Sequence, residues 1–111
     1  MPAIRSLDPR AREALLHELR ALAARLVADL AGEAVYLFGS LARGEQHEGG
    51  DIDLLVVADY PGRSLDLVGE VLRRTELPVE PLIIRGRALE RRRREGHPLF
   101  TRVMTEAIRL A

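Results

Sequence analysis

Asp51 and Asp53 stand one residue apart at the mouth of an apolar run, GDIDLLVV. Side chains of a strand alternate faces, so both aspartates project to one side while Ile52 between them points into the core. Carboxylates held this close repel, and burying either without a cation is costly. A divalent metal is the natural compensation, and hard oxygen donors suit Mg²⁺, which is commonly held by one or two carboxylates plus substrate phosphates. Taken alone, an Asp-x-Asp spacing favours the plainer reading, a solvated strand end, because it arises often by chance. The Gly39-Ser40 step, a short loop upstream, changes the balance. Gly39 follows the apolar stretch AVYLF and permits close backbone approach, while the Ser40 hydroxyl and nearby N–H groups form a small anion site at a helix start. Arg43, one helical turn along, could turn back toward the same phosphates. Glu80, set among apolar residues in VEPLII, offers a third carboxylate, against the plainer reading of a solvated Glu on an exposed edge. Together these residues describe a triphosphate-and-metal site.

The elements that must hold them are legible along the chain. Asp8-Pro9 is a helix start, with Asp as N-cap and Pro at the first helical position. Leu15, Leu16, Leu19, Leu22, Ala23, Leu26, Val27 and Leu30 follow at three- and four-residue steps, one apolar stripe, and Gly32 is expected to stop that helix. Residues 34–38 read as a buried strand, Ser40 to Arg43 as the opening of a short helix, and residues 45–50 as a polar loop. A second strand is expected over residues 52–58. A turn at Tyr60-Pro61-Gly62 comes next, then a helix over residues 65–75 capped by Ser64. Residues 79–84 form the third strand, which Pro81 assigns to a sheet edge or a bulge because it cannot donate a ladder hydrogen bond. The remainder reads as helical with a break at Gly96-His97-Pro98. The expected fold class is α/β (α+β): a small mixed sheet flanked by helices.

Composition narrows the chemistry. A length of 111 residues is one domain's worth, so residues 1–111 are expected to form a single domain. The formal net charge is +0, which makes bulk attraction to nucleic acid or an anionic membrane an unsuitable organising theme. There is no Cys, hence no disulfide framework, thiolate nucleophile or cysteine zinc site. Every basic side chain among the 17 is Arg. Without Lys, a Walker-type phosphate loop and Schiff-base mechanisms are excluded, and the Arg bias itself reads as codon usage in a GC-rich genome. No apolar run approaches a membrane span, and the first residues lack the layout of a secretory signal, so the expected location is cytoplasmic.

The pair GSLARG and GDIDLLV resembles the signature of the minimal nucleotidyltransferases, a branch of the DNA polymerase beta-like nucleotidyltransferase superfamily. That pattern is GSxARG, a short variable loop, then SDIDLLV. The resemblance implies a nucleotidyltransferase (polymerase beta palm-like) fold in which Gly39 and Ser40, with Arg43 beside them, hold the nucleotide phosphates. It implies that Asp51 and Asp53 bind Mg²⁺, two ions in all, and that Glu80 completes the set and helps to activate an acceptor hydroxyl. Gly50 replaces the usual Ser before the first Asp, and Glu80, followed by Pro81, stands where the family usually has Asp. Relatives of this kind are paired with small all-helical proteins of the HEPN class, as toxin and antitoxin. The resemblance therefore implies AMP transfer from ATP to a hydroxyl on such a partner, while a homodimer would also cover the edge strands and apolar helix faces of so small a domain.

Two rival classes fit parts of the sequence. Glu80 and Pro81 suit a catalytically weak or inactive antitoxin that acts by binding its partner. Arg91 to Arg94 suit a nucleic-acid patch, but four consecutive helical positions spread around the axis, Glu90 and Glu95 flank them, and aromatic residues for base stacking are few. His17 and His97 read as surface residues, and His47, in the polar loop, as a solvated side chain near a bound nucleotide.

Overall fold

A computed structural model describes residues 7–45 and 50–111 of the chain. Helix α1 (Pro9–Asp29) opens as the sequence requires: Asp8 Oδ1 accepts the Ala11 N–H at 2.8 Å and Pro9 takes the first helical position. Leu16, Leu19, Leu22, Ala23 and Leu26 form its buried stripe. The reversal comes before Gly32. The last helical hydrogen bond runs from Leu30 N–H to Leu26 C=O at 3.0 Å, Ala31 takes a positive φ of 53°, and Gly32 is already the first residue of strand β1 (Gly32–Phe38). What demands glycine there is contact: a Cβ would lie 2.9 Å from Val27 Cα, where the strand passes under the helix it has just left.

Helix α2 (Gly39–Ala42) is a single turn, followed by strand β2 (Ile52–Ala58), helix α3 (Ser64–Arg73), strand β3 (Val79–Ile84), helices α4 (Gly86–Arg94) and α5 (Pro98–Glu106), and a two-residue strand β4 (Ile108–Arg109). β2 and β3 coincide with expectation, and the α4–α5 break falls at the Gly-His-Pro step. α3 begins one residue early: Ser64 is inside the helix and Arg63, without a side-chain capping bond, is the N-cap. β4 has no counterpart in the sequence reading, because two residues carry no periodicity. His97 differs too. It is half-buried, its ring meets Phe100 edge-on at 5.3 Å, and its Nδ1 is buried without a hydrogen-bond partner among the described residues.

The sheet order is β3-β2-β1-β4, with β2–β3 parallel and the other pairs antiparallel. Pro81 therefore sits on an edge strand, where its missing N–H faces no neighbour. Alternation divides the core into two layers. Val35, Leu37, Ile52, Leu54 and Val56 pack against α1 and α3, whereas Ala34, Leu55, Val57 and Ile84 meet Leu89 of α4 and Phe100 and Val103 of α5. Leu19 is wholly buried between α1 and the sheet, so Leu19→Ala should lower the unfolding free energy by about 2–5 kcal/mol. Leu65→Ala, at a side chain 69% exposed, should be nearly neutral. Urea denaturation of the two variants checks both.

Candidate active site

Register brings the acidic residues together. Asp53 pairs with Phe38 of β1 on one side and with Glu80 of β3 on the other. Asp53 and Glu80 share the parity of Leu55, Val57 and Ile84, so they project to the face of the sheet that carries α4 and α5. Asp51 lies just before β2, exposed, and the intervening Ile52 is buried in the opposite layer. The expected alternation of the Asp-x-Asp pair thus holds, and Glu80 meets it at the same end of the sheet.

The Gly39-Ser40 turn closes this end from the β1 side. Gly39 has φ +76°, and a Cβ there would run into Asp53 Oδ2. The turn and the carboxylate therefore touch only because position 39 has no side chain. The Arg43 N–H donates to Gly39 C=O at 3.2 Å and the Glu45 N–H donates to Ser40 C=O at 2.8 Å, which fixes the turn. Since α2 is one turn long, its macrodipole is slight, and whatever anion affinity the site has must come from the turn's own amides and side chains.

Arg43 does not hang loose beside this turn. Its Nε donates to Glu45 at 3.0 Å and its Nη1 to Glu106 at 2.9 Å, contacts that hold the guanidinium in its charged form. Glu106 also meets Arg102 at 3.4 Å. The bonds from Arg43, foremost, and from Arg102 lower the Glu106 pKa. Glu106 is a residue the sequence reading missed. It lies far from Arg43 in sequence and in no motif, but one signal was available: it is the last residue of α5, where the helix dipole disfavours a carboxylate unless a cation answers it. Through Glu106 the C-terminus of α5 is tied to the Gly39-Ser40 turn.

Electrostatics mark Asp53 and Glu80 as under-compensated. The Asp53 pKa is raised, first by burial and then by the charge of Asp51, with the charge of Arg43 and a hydrogen bond with Glu80 acting the other way. Glu80 is exposed on its edge strand, and its pKa is raised by the charge of Asp51 first, then by partial desolvation and by Asp53. Among the described residues no three acidic, His or Cys side chains close into a ready-made metal cage. The donor set fits a hard divalent cation nonetheless: all oxygen, mutually repulsive, and at a sheet end beside a turn suited to phosphates, which complete magnesium coordination in such sites. Because ionised Glu80 is disfavoured on folding, Glu80→Gln should raise Tm slightly at neutral pH without divalent cation. The sign follows from the raised pKa: the folded wild type takes up its proton at higher pH than the unfolded chain. The gain should therefore shrink as pH falls toward the ordinary carboxylate range near 4. Thermal melts across pH measure it, and added Mg²⁺ should narrow the gap by stabilising wild type more than the variant.

His47 lies outside the described residues. His17 is exposed on α1, as expected.

Against known proteins, residues 19–103 match the family model described as the nucleotidyltransferase domain. A Sulfolobus solfataricus protein assigned as a nucleotidyltransferase, solved as a crystal structure, superposes with a TM-score of 0.59 at 24% identity, over 72% of this chain and 75% of that one. A toxin-antitoxin structure solved with AMP-PNP superposes with a TM-score of 0.57 at 22% identity, over 83% of this chain and 72% of the other. Among curated proteins none matches the chain significantly. At these identities the two structures establish a shared fold, a mixed sheet flanked by helices.

Proposed function

Since the chain belongs to the nucleotidyltransferase domain family, we propose that it moves a nucleoside monophosphate, AMP from ATP, onto a hydroxyl of a small helical partner protein of the HEPN class, as an antitoxin does. The observation that carries this reading is the meeting of Asp53 with Glu80 on one side and the Gly39 backbone on the other, beside Arg43. The toxin-antitoxin structure with AMP-PNP shares the fold and supports the choice of nucleotide and of a protein partner.

In this reading the residues divide the work. Gly39, Ser40 and Arg43 bind and orient the β- and γ-phosphates, so that pyrophosphate leaves toward the turn. Asp51, Asp53 and Glu80 would hold magnesium, which when bound supplies Lewis-acid polarisation of the α-phosphate. The acceptor oxygen forms a bond to the α-phosphorus as the bond from that phosphorus to the bridging oxygen breaks. The hydroxyl proton goes to the Glu80 carboxylate, whose pKa is raised first by the charge of Asp51. Two structural facts favour this reading over an antitoxin that acts by binding alone: Glu80 faces Asp53 in register, and Pro81 is accommodated on the edge strand without displacing it. The site acts in the cytoplasm, where the nucleotide is abundant. Among the described residues no helix is long and apolar enough to cross a membrane.

The test is intact-mass spectrometry of the protein with its co-purifying helical partner, Mg²⁺ and each of the four nucleoside triphosphates. A nucleotide-sized gain on the partner, with one triphosphate preferred, is the expected result. An intact complex that gains no mass with any of the four would sink the transfer reading.

A further inference from the structure

A second surface lies on the same face of the sheet, away from the carboxylates. It is a groove of about 780 Å³ between α4, α5 and the start of β1, floored by Tyr36 and Met104. Arg87, Arg91 and Arg94 line it from α4. Consecutive arginines spread around a helix, but positions 87, 91 and 94 are spaced i, i+4 and i+7 and form a single stripe. None of the three has an ion-pair partner among the described residues, whereas Arg93 is paired with Glu90 at 3.2 Å and Arg92 lies over the Phe100 ring. Arg109, from β4, closes the groove opposite them, its guanidinium 5.8 Å from the centre of the Tyr36 ring.

Helix stability does not explain this stripe. Cations near a helix C-terminus are favourable, which accounts for Arg91 and Arg94, but Arg87 lies in the first turn of α4, where the dipole opposes a positive charge. Three unanswered guanidinium groups over a floor of Tyr and Met have the composition of an interface centre. We propose that the groove docks an acidic amphipathic helix of a partner protein, its carboxylates one turn apart against Arg87, Arg91 and Arg94 and its apolar side on Tyr36 and Met104. A nucleic-acid strand fits less well: the Tyr36 face that a base would stack on lies under Arg109. Along β2 from Asp53, the groove reaches from the level of Tyr36, which pairs with Leu55 two residues or about 7 Å away, to Val57, four residues or about 13 Å away. A helix seated there approaches the carboxylates without covering them. The inference rests on the protein-partner reading above and not on the transfer chemistry.

Fluorescence anisotropy with the full chain tests it. The probe is a labelled synthetic helical peptide with glutamates at i, i+4 and i+7 beside a leucine stripe; its lysine-substituted counterpart and poly-U RNA are the comparisons. The acidic peptide should bind, more weakly as salt is raised, and Arg91→Glu with Arg94→Glu should weaken it by at least about tenfold. Arg91→Gln with Arg94→Gln, milder for folding, should fall between that variant and wild type. Asp53→Asn should bind the peptide as wild type does, and the Arg variants should keep their Mg²⁺-nucleotide-dependent rise in Tm. Three results would overturn the proposal: no binding of the acidic peptide, equal binding of the lysine peptide, or tighter binding of poly-U that the same variants abolish. In the wild type, absence of peptide binding with transfer intact would discard the groove alone, and absence of transfer with peptide binding intact would discard the chemistry alone.

Discussion

Asp53→Asn is expected to lower the rate of nucleotide transfer by about a thousandfold or more, equivalent to roughly 4 kcal/mol of transition-state stabilisation, while leaving the protein folded and somewhat more stable. The substitution keeps shape and removes charge. Asp53 is the carboxylate at the centre of the cluster, paired to Glu80 on one strand and backed by Gly39 on the other, so no neighbour can take its place. Its raised pKa means that its negative charge is disfavoured in the folded protein, first by burial and then by Asp51, so neutralising it should relieve strain. Pyrophosphate release followed over time gives the rate, and a thermal melt gives the stability. A slow, stable variant is the signature of a residue kept for function against its own folding preference. Wild-type transfer in the variant would show that the metal and the chemistry lie elsewhere, and a large fall in Tm would show that Asp53 has a compensating contact.

Gly39→Ala should affect both stability and the site. Residue 39 has φ +76°, a left-handed conformation that costs a side-chain-bearing residue about 1–2 kcal/mol, and the new methyl would collide with Asp53 Oδ2. Gly44 separates the two effects. Its φ is +78°, yet a Cβ there meets nothing within 4 Å, so Gly44→Ala carries the backbone penalty alone. Gly39→Ala is therefore expected to lose more stability than Gly44→Ala, to a total of about 2–4 kcal/mol, and to lose Mg²⁺-nucleotide binding, which Gly44→Ala should largely keep. Urea denaturation and nucleotide-dependent thermal shifts measure the two losses. In a double-mutant cycle, Asp53→Ala should recover part of the stability lost in Gly39→Ala, with a coupling of about 0.5–3 kcal/mol, because it removes the atom the methyl meets. No coupling would mean that the turn and the carboxylate are independent.

Much of this could be seen before any coordinates. Asp8-Pro9, the leucine stripe of α1, the apolar runs of β2 and β3, and the Gly-His-Pro break are signals carried by a few neighbouring residues, and the structure places those elements as expected. Other features arise between distant parts of the chain. Ala31, not Gly32, turns the chain after α1, because Gly32 is needed where β1 crosses against Val27. β4 exists only because β1 offers an unpaired edge to residues 108–109. Glu106 reaches Arg43 across most of the chain's length, and His97 is drawn in against Phe100.

The sequence by itself determined the residue types and their local spacing: two aspartates one residue apart at the start of a strand, a glycine-serine turn before them, and a strand carrying Glu80 that Pro81 assigns to an edge or a bulge. Those follow from strand alternation and from the conformational limits of Gly and Pro, which act over a few residues. Only the tertiary structure decided that β3 runs parallel to β2 in the register that sets Glu80 beside Asp53, that Arg43 is clasped by Glu106, and that Arg87, Arg91, Arg94 and Arg109 converge on one groove. Strand order, register and helix docking are fixed by how two apolar layers close on either side of one sheet. That closure depends on all the buried side chains at once, which no short stretch of sequence contains.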